Sequence, residues 1–177
     1  DAVLVSAQAL IFSLLRVQEM KTRVRGTISI SVSSLALPTG FREAISFYRG
    51  GDDFGKIRIL DEQHFESRLG TDTADDPYSG CPTECTMDGT TAYFNVTTDK
   101  AYLYRLWYMG AAAALSGSNT SNYLCTRYAH ILEAACKHYA FSHREKNDEA
   151  TKWLGIMKAG IDAANGEYDL YRQAIQH

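Results

Sequence analysis

The chain has 177 residues, 45% hydrophobic and 22% charged, an ordinary globular composition with room for one domain. A chain this long buries roughly 70% of the surface its unfolded form exposes, so folding requires neither a metal nor a disulfide. Eighteen Lys and Arg against 21 Asp and Glu give a formal charge of −3, so the overall field offers no basic excess to hold DNA or an anionic membrane. Disordered, collagen-like, polytopic membrane and histone-like classes are excluded.

Residues 1–17, DAVLVSAQALIFSLLRV, lean apolar but open on Asp1 and carry Gln8. They lack the basic start of a signal peptide and fall short of the ~20 apolar residues that span a bilayer. Leu4, Ala7, Ile11 and Leu14 recur at helical spacing, with Leu10 and Val17 beside them. The spacing predicts an amphipathic helix that packs on protein, runs to about Arg23 and stops before Gly26. With no initiator Met, Asp1 need not be the first residue of the gene product. Thr27–Val32 alternates strictly and predicts a strand with Ile28, Ile30 and Val32 on its buried face. Residues 35–40 form a short extended piece ended by a turn, and 41–49 a helical turn followed by a strand. Gly50-Gly51-Asp52-Asp53 makes a tight turn, and Ile57 and Ile59 mark another strand. Asp61 caps a short helix over 61–70, with Phe65 and Leu69 as its buried face and Gly70 as its end.

Residues 71–80 are a polar loop, followed by strands over roughly 82–87, 91–97 and 101–108. Met87-Asp88-Gly89 and Thr98-Asp99-Lys100 supply the turns between them. The third strand sets Tyr102, Tyr104, Leu106 and Tyr108 on one face and Leu103, Arg105 and Trp107 on the other. Both faces are expected to be covered, which makes it a central strand. A long helix over 121–143 follows, capped by Asn119 or Ser121, with Leu124, Tyr128, Ile131, Ala135 and Tyr139 facing one way. A second helix runs from Asp148 to Gln173. Its Ala150, Leu154, Met157, Ile161, Ala164, Tyr168 and Tyr171 recur in steps of four and three, a heptad seam. The joint at Lys146-Asn147-Asp148 is too short for anything but antiparallel neighbours, so Leu154 is expected to face the 121–143 helix. The resulting architecture is α+β, a single domain over 1–177: an N-terminal helix (1–23), an antiparallel β-sheet module (24–110) inserted in a helical bundle, and a C-terminal antiparallel helical hairpin (119–173).

No catalytic, cofactor or metal motif stands out: there is no G-x-S-x-G elbow, no P-loop and no H-E-x-x-H. His130 and His138 are eight apart and His138 and His143 five, off the one-turn spacing of a ligand pair, which favours solvated or interfacial roles. Asp52-Asp53 and Asp75-Asp76 sit in turns and loops, where carboxylates are solvated. Cys81 and Cys85 resemble half a zinc knuckle, but Cys125 and Cys136 are eleven apart and supply no second half. The four read as buried thiols in a reducing compartment. Asn95-Val-Thr97 and Asn119-Thr-Ser121 fit the glycosylation pattern and, with no secretion signal read in the sequence, are expected to be chance matches. Eleven tyrosines suit a β-core and a protein interface. The Tyr/Trp face of strand 101–108 leaves an alternative open: a small glycan-binding module or enzyme.

The order of elements carries a resemblance. Arg16-Val17-Gln18-Glu19-Met20 closes the first helix on an Arg/Glu exit, and Leu35-Ala36-Leu37-Pro38-Thr39-Gly40-Phe41-Arg42-Glu43 steps into a strand. Ile57–Phe65 makes a strand-to-helix passage, Tyr93–Tyr108 pairs strands ending in an aromatic cluster, and Ala114-Leu115-Ser116 leads to the long Asn119–Tyr139 helix and the final Glu149–Gly166 helix. In this order, from about residue 14 to 171, the chain resembles the head-to-tail adaptor (connector) proteins of tailed bacteriophages. The resemblance implies a structural virion protein, not an enzyme and without cofactors, made in the host cytoplasm. It implies a ring, usually dodecameric, between the portal protein and the tail tube or nozzle proteins, with genome DNA passing through its channel. No membrane is involved.

Contact with partners is expected along the last helix, at Leu154 and Ile161 in the seam and at Tyr168, Tyr171 and Ile175 beyond it. The segment Tyr168–His177 is expected to dock on a partner, in related adaptors the portal. The cations read as scattered, and the densest group, Lys21 to Arg25, reads as a solvated helix end whose charge suits the C-terminal dipole. Free DNA is therefore expected to be held weakly and without sequence preference.

Overall fold

A computed structural model describes residues 2–51, 54–69 and 78–175. In chain order the elements are α1 (Ala2–Leu14), β1 (Lys21–Ile28), β2 (Ser34–Ala36), β3 (Phe41–Arg49), β4 (Gly55–Ile59), α2 (Glu62–Leu69), β5 (Ser79–Gly80), β6 (Glu84–Asp88), β7 (Thr91–Phe94), β8 (Thr97–Thr98), β9 (Tyr102–Gly110), α3 (Tyr123–Thr126), α4 (Ala129–Ser142) and α5 (Asn147–Ile175). The class is α+β. Two units divide the chain: a β unit, residues 21–110, and a helical unit built from the residues before and after it.

The β unit is a seven-stranded sheet in the order β1-β9-β3-β4-β6-β7-β2. It is mixed, not antiparallel throughout: β4 and β6 run parallel, as do β5 and β8 in a separate pair. A parallel neighbour needs a long crossover, and the chain between Ile59 and Glu84, which contains α2, supplies it. The core gathers Ile28, Phe47, Ile57, Cys85, Ala92, Phe94, Tyr102 and Leu106. Phe47 is fully buried at its centre, its ring centroid 5.7 Å from Tyr104 and 6.1 Å from Phe94. The surrounding apolar atoms push the Cys85 thiol up to about 12.

The first strand begins earlier than the helical spacing suggests. α1 ends at Leu14, a single 3₁₀ turn follows at Gln18–Met20, and β1 runs from Lys21 to Ile28, paired along its whole length with β9. Gly26 does not stop a helix. It lies inside β1, where a Cβ would come within 2.7 Å of the Tyr104 ring that lies over it. Ile28, Ile30 and Val32 do not share a buried face, since Ile30 is 58% exposed. The chain turns at Ser31, whose φ is +59°, and the turn is held by the buried Thr98: its hydroxyl donates to the Ser29 carbonyl at 2.6 Å and accepts from the Val32 N–H at 3.1 Å. Residues 41–49 are strand throughout, because every part of the segment pairs with β9, with irregularities between Phe41 and Glu43 and between Ala44 and Ser46. β9 is central, between β1 and β3, but one of its faces is open: Leu103 is 57% exposed.

Asp61 caps α2, as its sequence position implies. Its carboxylate accepts the His64 backbone N–H at 3.0 Å and lies 2.6 Å from the His64 ring. The backbone bond first, then the ring, holds the Asp61 carboxyl below its usual value. Phe65 is buried. The Leu69 side chain, Asp52, Asp53 and the stretch 70–77, with Asp75 and Asp76, lie outside the described residues.

In the helical unit, α1 buries Ala7, Gln8 and Ile11, and its stripe continues to Leu15 instead of the exposed Leu14. Gln8 substitutes for a backbone partner: its carbonyl oxygen accepts the Leu115 N–H at 2.7 Å, and its amide donates to the Leu4 carbonyl at 3.3 Å. The expected 121–143 helix is two helices, α3 and α4, broken at Arg127 and Tyr128, where Tyr128 adopts φ −119° and ψ 31°. The Tyr128 ring is buried there and packs edge-on against Tyr123. The cap is Asn122, whose side-chain oxygen accepts from the N–H groups of Leu124 and Cys125. Asn119 instead ties down the preceding loop through the Ala113 and Ala114 carbonyls.

Candidate assembly surface

α5 is the longest element, and the a/d spacing of its sequence sets one apolar stripe against α4. Ala150, Met157, Ile161 and Ala164 are buried and Leu154 is half-buried, opposite Ile131, Ala134 and Ala135. The His138 ring donates from Nδ1 to the Ala150 carbonyl at 2.9 Å, and Gly160 lies so close to Ile131 that a Cβ would meet its Cγ1 at 3.0 Å. The Lys137 ammonium sits 4.1 Å from the centre of the Trp153 ring.

Beyond Ala164 the stripe meets the segment that leaves α1. Asn165 accepts the Arg16 N–H at 2.7 Å and donates to the Leu14 carbonyl at 3.1 Å, closing the C-terminal end of α1. The Gln18 amide donates to the Tyr171 hydroxyl oxygen at 3.2 Å. Val17, Glu19, Arg127, Tyr128, Glu167 and Tyr168 complete a cleft of about 200 Å³. Glu19 forms an ion pair with Arg127 and accepts the Tyr128 hydroxyl at 3.3 Å. Burial first, and then the Glu19 charge, push the Tyr128 phenol up.

Of the residues expected to meet partners, Ile161 is thus covered by its own unit and Leu154 partly so. Tyr168 is half-buried, and Tyr171 is 45% exposed at the cleft edge. The Ile175 side chain lies outside the described residues. Leu170 and Ile156 add exposed apolar surface to α5. The seam pattern could not foresee Gln18, Glu19 and Arg127. No local signal marked Arg127, since an arginine with no acid three or four residues away is ordinarily solvated.

The cleft brings hydroxyl, amide and charged groups together, with the Tyr128 hydroxyl beside the Glu19 carboxylate and the Glu19–Arg127 ion pair at its wall. Among the described residues, no group of three or more His, Cys, Asp or Glu is placed to hold a metal. All four cysteines are free thiols; Cys85 is buried, and Cys81, Cys125 and Cys136 are half-buried. No described helix is long and apolar enough to cross a membrane. Of the β9 tyrosines, Tyr102 and Tyr108 are buried in the sheet core and Tyr104 is half-buried; the Tyr102 hydroxyl donates to Asp99 at 2.6 Å.

The model of a family described as SU10 adaptor protein matches residues 1–176. A search of curated proteins finds no match to the chain.

Proposed function

The chain belongs to the SU10 adaptor protein family, a family of phage head-to-tail adaptors, and on that premise we propose that it forms a ring beneath the portal and joins the portal to the tail. It is a phage adaptor, a structural component of the virion. In this reading residues 1–177 act as one adaptor domain. Residues 24–110 are inserted in a helical bundle that ends in an antiparallel α4–α5 hairpin. Twelve copies, assembled in the host cytoplasm, surround a channel through which genome DNA passes without sequence-specific binding. The observation that carries the reading is the family match over residues 1–176.

The α5 surface supports it. Ile161 is already covered, so the contact falls to Tyr168, Tyr171 and Ile175, with exposed Leu170 beside them. Exposed Leu170 and Tyr171, with half-buried Tyr168 at the cleft, give this end of α5 the apolar and aromatic character of an interface core. The portal and the tail tube or nozzle proteins are the partners. The test is to mix purified chain with portal rings and image the product. A ring of adaptor subunits on the portal is expected, and deleting residues 168–177 should abolish it while leaving most of the fold. A chain that stays monomeric in light scattering with portal present would refute the reading.

A further inference from the structure

The overall charge of −3 hides a strong segregation. β1, β9, β3 and β4, four neighbouring strands, carry eight Lys and Arg and one carboxylate, Glu43, a net of +7. Strand alternation then sorts these cations by face. Lys21, Arg23 and Arg25 lie on the side of β1 away from the core, whose own residues there are Val24 and Ile28. The ladder sets Arg105 directly opposite Arg25 and Trp107 opposite Arg23, and Lys56 and Arg105 both pair with Tyr48. All five cations are exposed, and none forms an ion pair with a described carboxylate.

Like charges directly opposite in a ladder repel, so the Arg25–Arg105 pair weakens the sheet unless an anion lies between them. The Lys21 ammonium and the Arg23 guanidinium each lie 5.2 Å from the Trp107 ring, which holds both charges up on the face. Beside Arg25 and Arg105 a cleft of about 360 Å³ opens, walled by Leu103 and by Tyr48 stacked on Phe54.

We propose that this face binds the phosphate backbone of nucleic acid, independently of sequence. The cations form a row, not a ring around a pocket, and a row fits a repeating charge. Lys21 to Arg25 spans about 13 Å of strand, over which one DNA strand presents about four phosphates. The surplus of acid elsewhere in the chain keeps the contact weak at physiological salt. The inference goes beyond the ring reading and stands without it, because every cation on the face belongs to one chain.

The test is fluorescence anisotropy of the full chain with a labelled random-sequence duplex from 50 to 200 mM salt. With about four phosphates neutralised, affinity should fall roughly a hundredfold over that range. The variant R25Q/R105Q should bind at least about tenfold more weakly at 50 mM and show roughly half the salt slope, while K137Q/K152Q in the helical unit should match the parent. A thermal melt checks the fold, and R25Q/K56Q gives a second reading of the same face if the first variant melts early. No binding at 50 mM salt, or an unchanged slope in both face variants, would overturn the proposal. So would tighter binding of polyglutamate than of the duplex at equal charge, which would mark an acidic protein as the partner.

Discussion

The helical unit and the β unit bury apolar surface by different routes. In the helical unit the buried positions Ala150, Met157, Ile161 and Ala164 follow one another along a single element, and their partners on α4 lie a short joint away. In the β unit the central Phe47 of β3 lies against Tyr104 of β9 and Phe94 of β7, residues more than forty positions distant. The α4–α5 seam is written locally; this sheet core exists only after β9 has crossed between β1 and β3.

Phe47→Ala tests the second route and should have the largest effect, about 3–5 kcal/mol of lost stability by urea denaturation, because three aromatic rings lose their common contact. In the helical unit Met157→Ala should cost about 2–5 kcal/mol and the half-buried Leu154→Ala clearly less. Equal losses would mean that Leu154 carries as much of the seam as Met157. Cys85 contrasts the units by pH. Its folded thiol titrates at about 12 against 9.0 for an unburied thiol, so the neutral form stabilises the fold fully below pH 9. As pH rises from 9 toward 12 that contribution falls by up to ~1.4 kcal/mol per unit. Denaturation at pH 8, 9 and 10 should show this slope, and Cys85→Ala should flatten it.

Gln8→Leu leaves the Leu115 N–H without its partner and should cost about 1–3 kcal/mol, a larger loss than the size of the residue suggests. The smallest effects concern glycines of α5. A Cβ at Gly155 or Gly166 meets nothing within 4 Å, so Ala at either should add up to about 1 kcal/mol through helix propensity. At Gly160 the buried Ile131 would have to yield to a Cβ 3.0 Å away, and Ala there should bring no gain and a lower melting temperature. A stabilised Gly160→Ala variant would show that α4 and α5 pack less closely than their contacts indicate.

Legibility followed the same division. The seam of α5, the Asp61 cap of α2 and the hairpin at Asp88-Gly89 were readable because each depends on residues within a turn or two of one another. The break between α3 and α4 was not, because Tyr128 leaves helical geometry where its ring is buried and its hydroxyl reaches Glu19, far away in sequence. At the candidate surface Tyr168 and Tyr171 could be named from their spacing, but the Gln18 and Glu19 side of the cleft could not.

Lys21-Thr22-Arg23-Val24-Arg25 shows where the boundary lies. The sequence by itself determined the alternation of charge, the apolar stripe of the last helix, the family order of elements and the mild net charge. Whether the alternation became a solvated helix end or a strand with one charged face depended on β9. Its tyrosine side takes up Val24, Gly26 and Ile28, and its other side brings Arg105 and Trp107 beside the cations. Spacing along one chain encodes the periodicity of a helix or a strand, because that depends on neighbours in sequence. Only tertiary pairing decides which distant strand supplies the other half of a face, because the hydrogen-bonding groups of a strand edge accept any partner whose side chains can be buried with it.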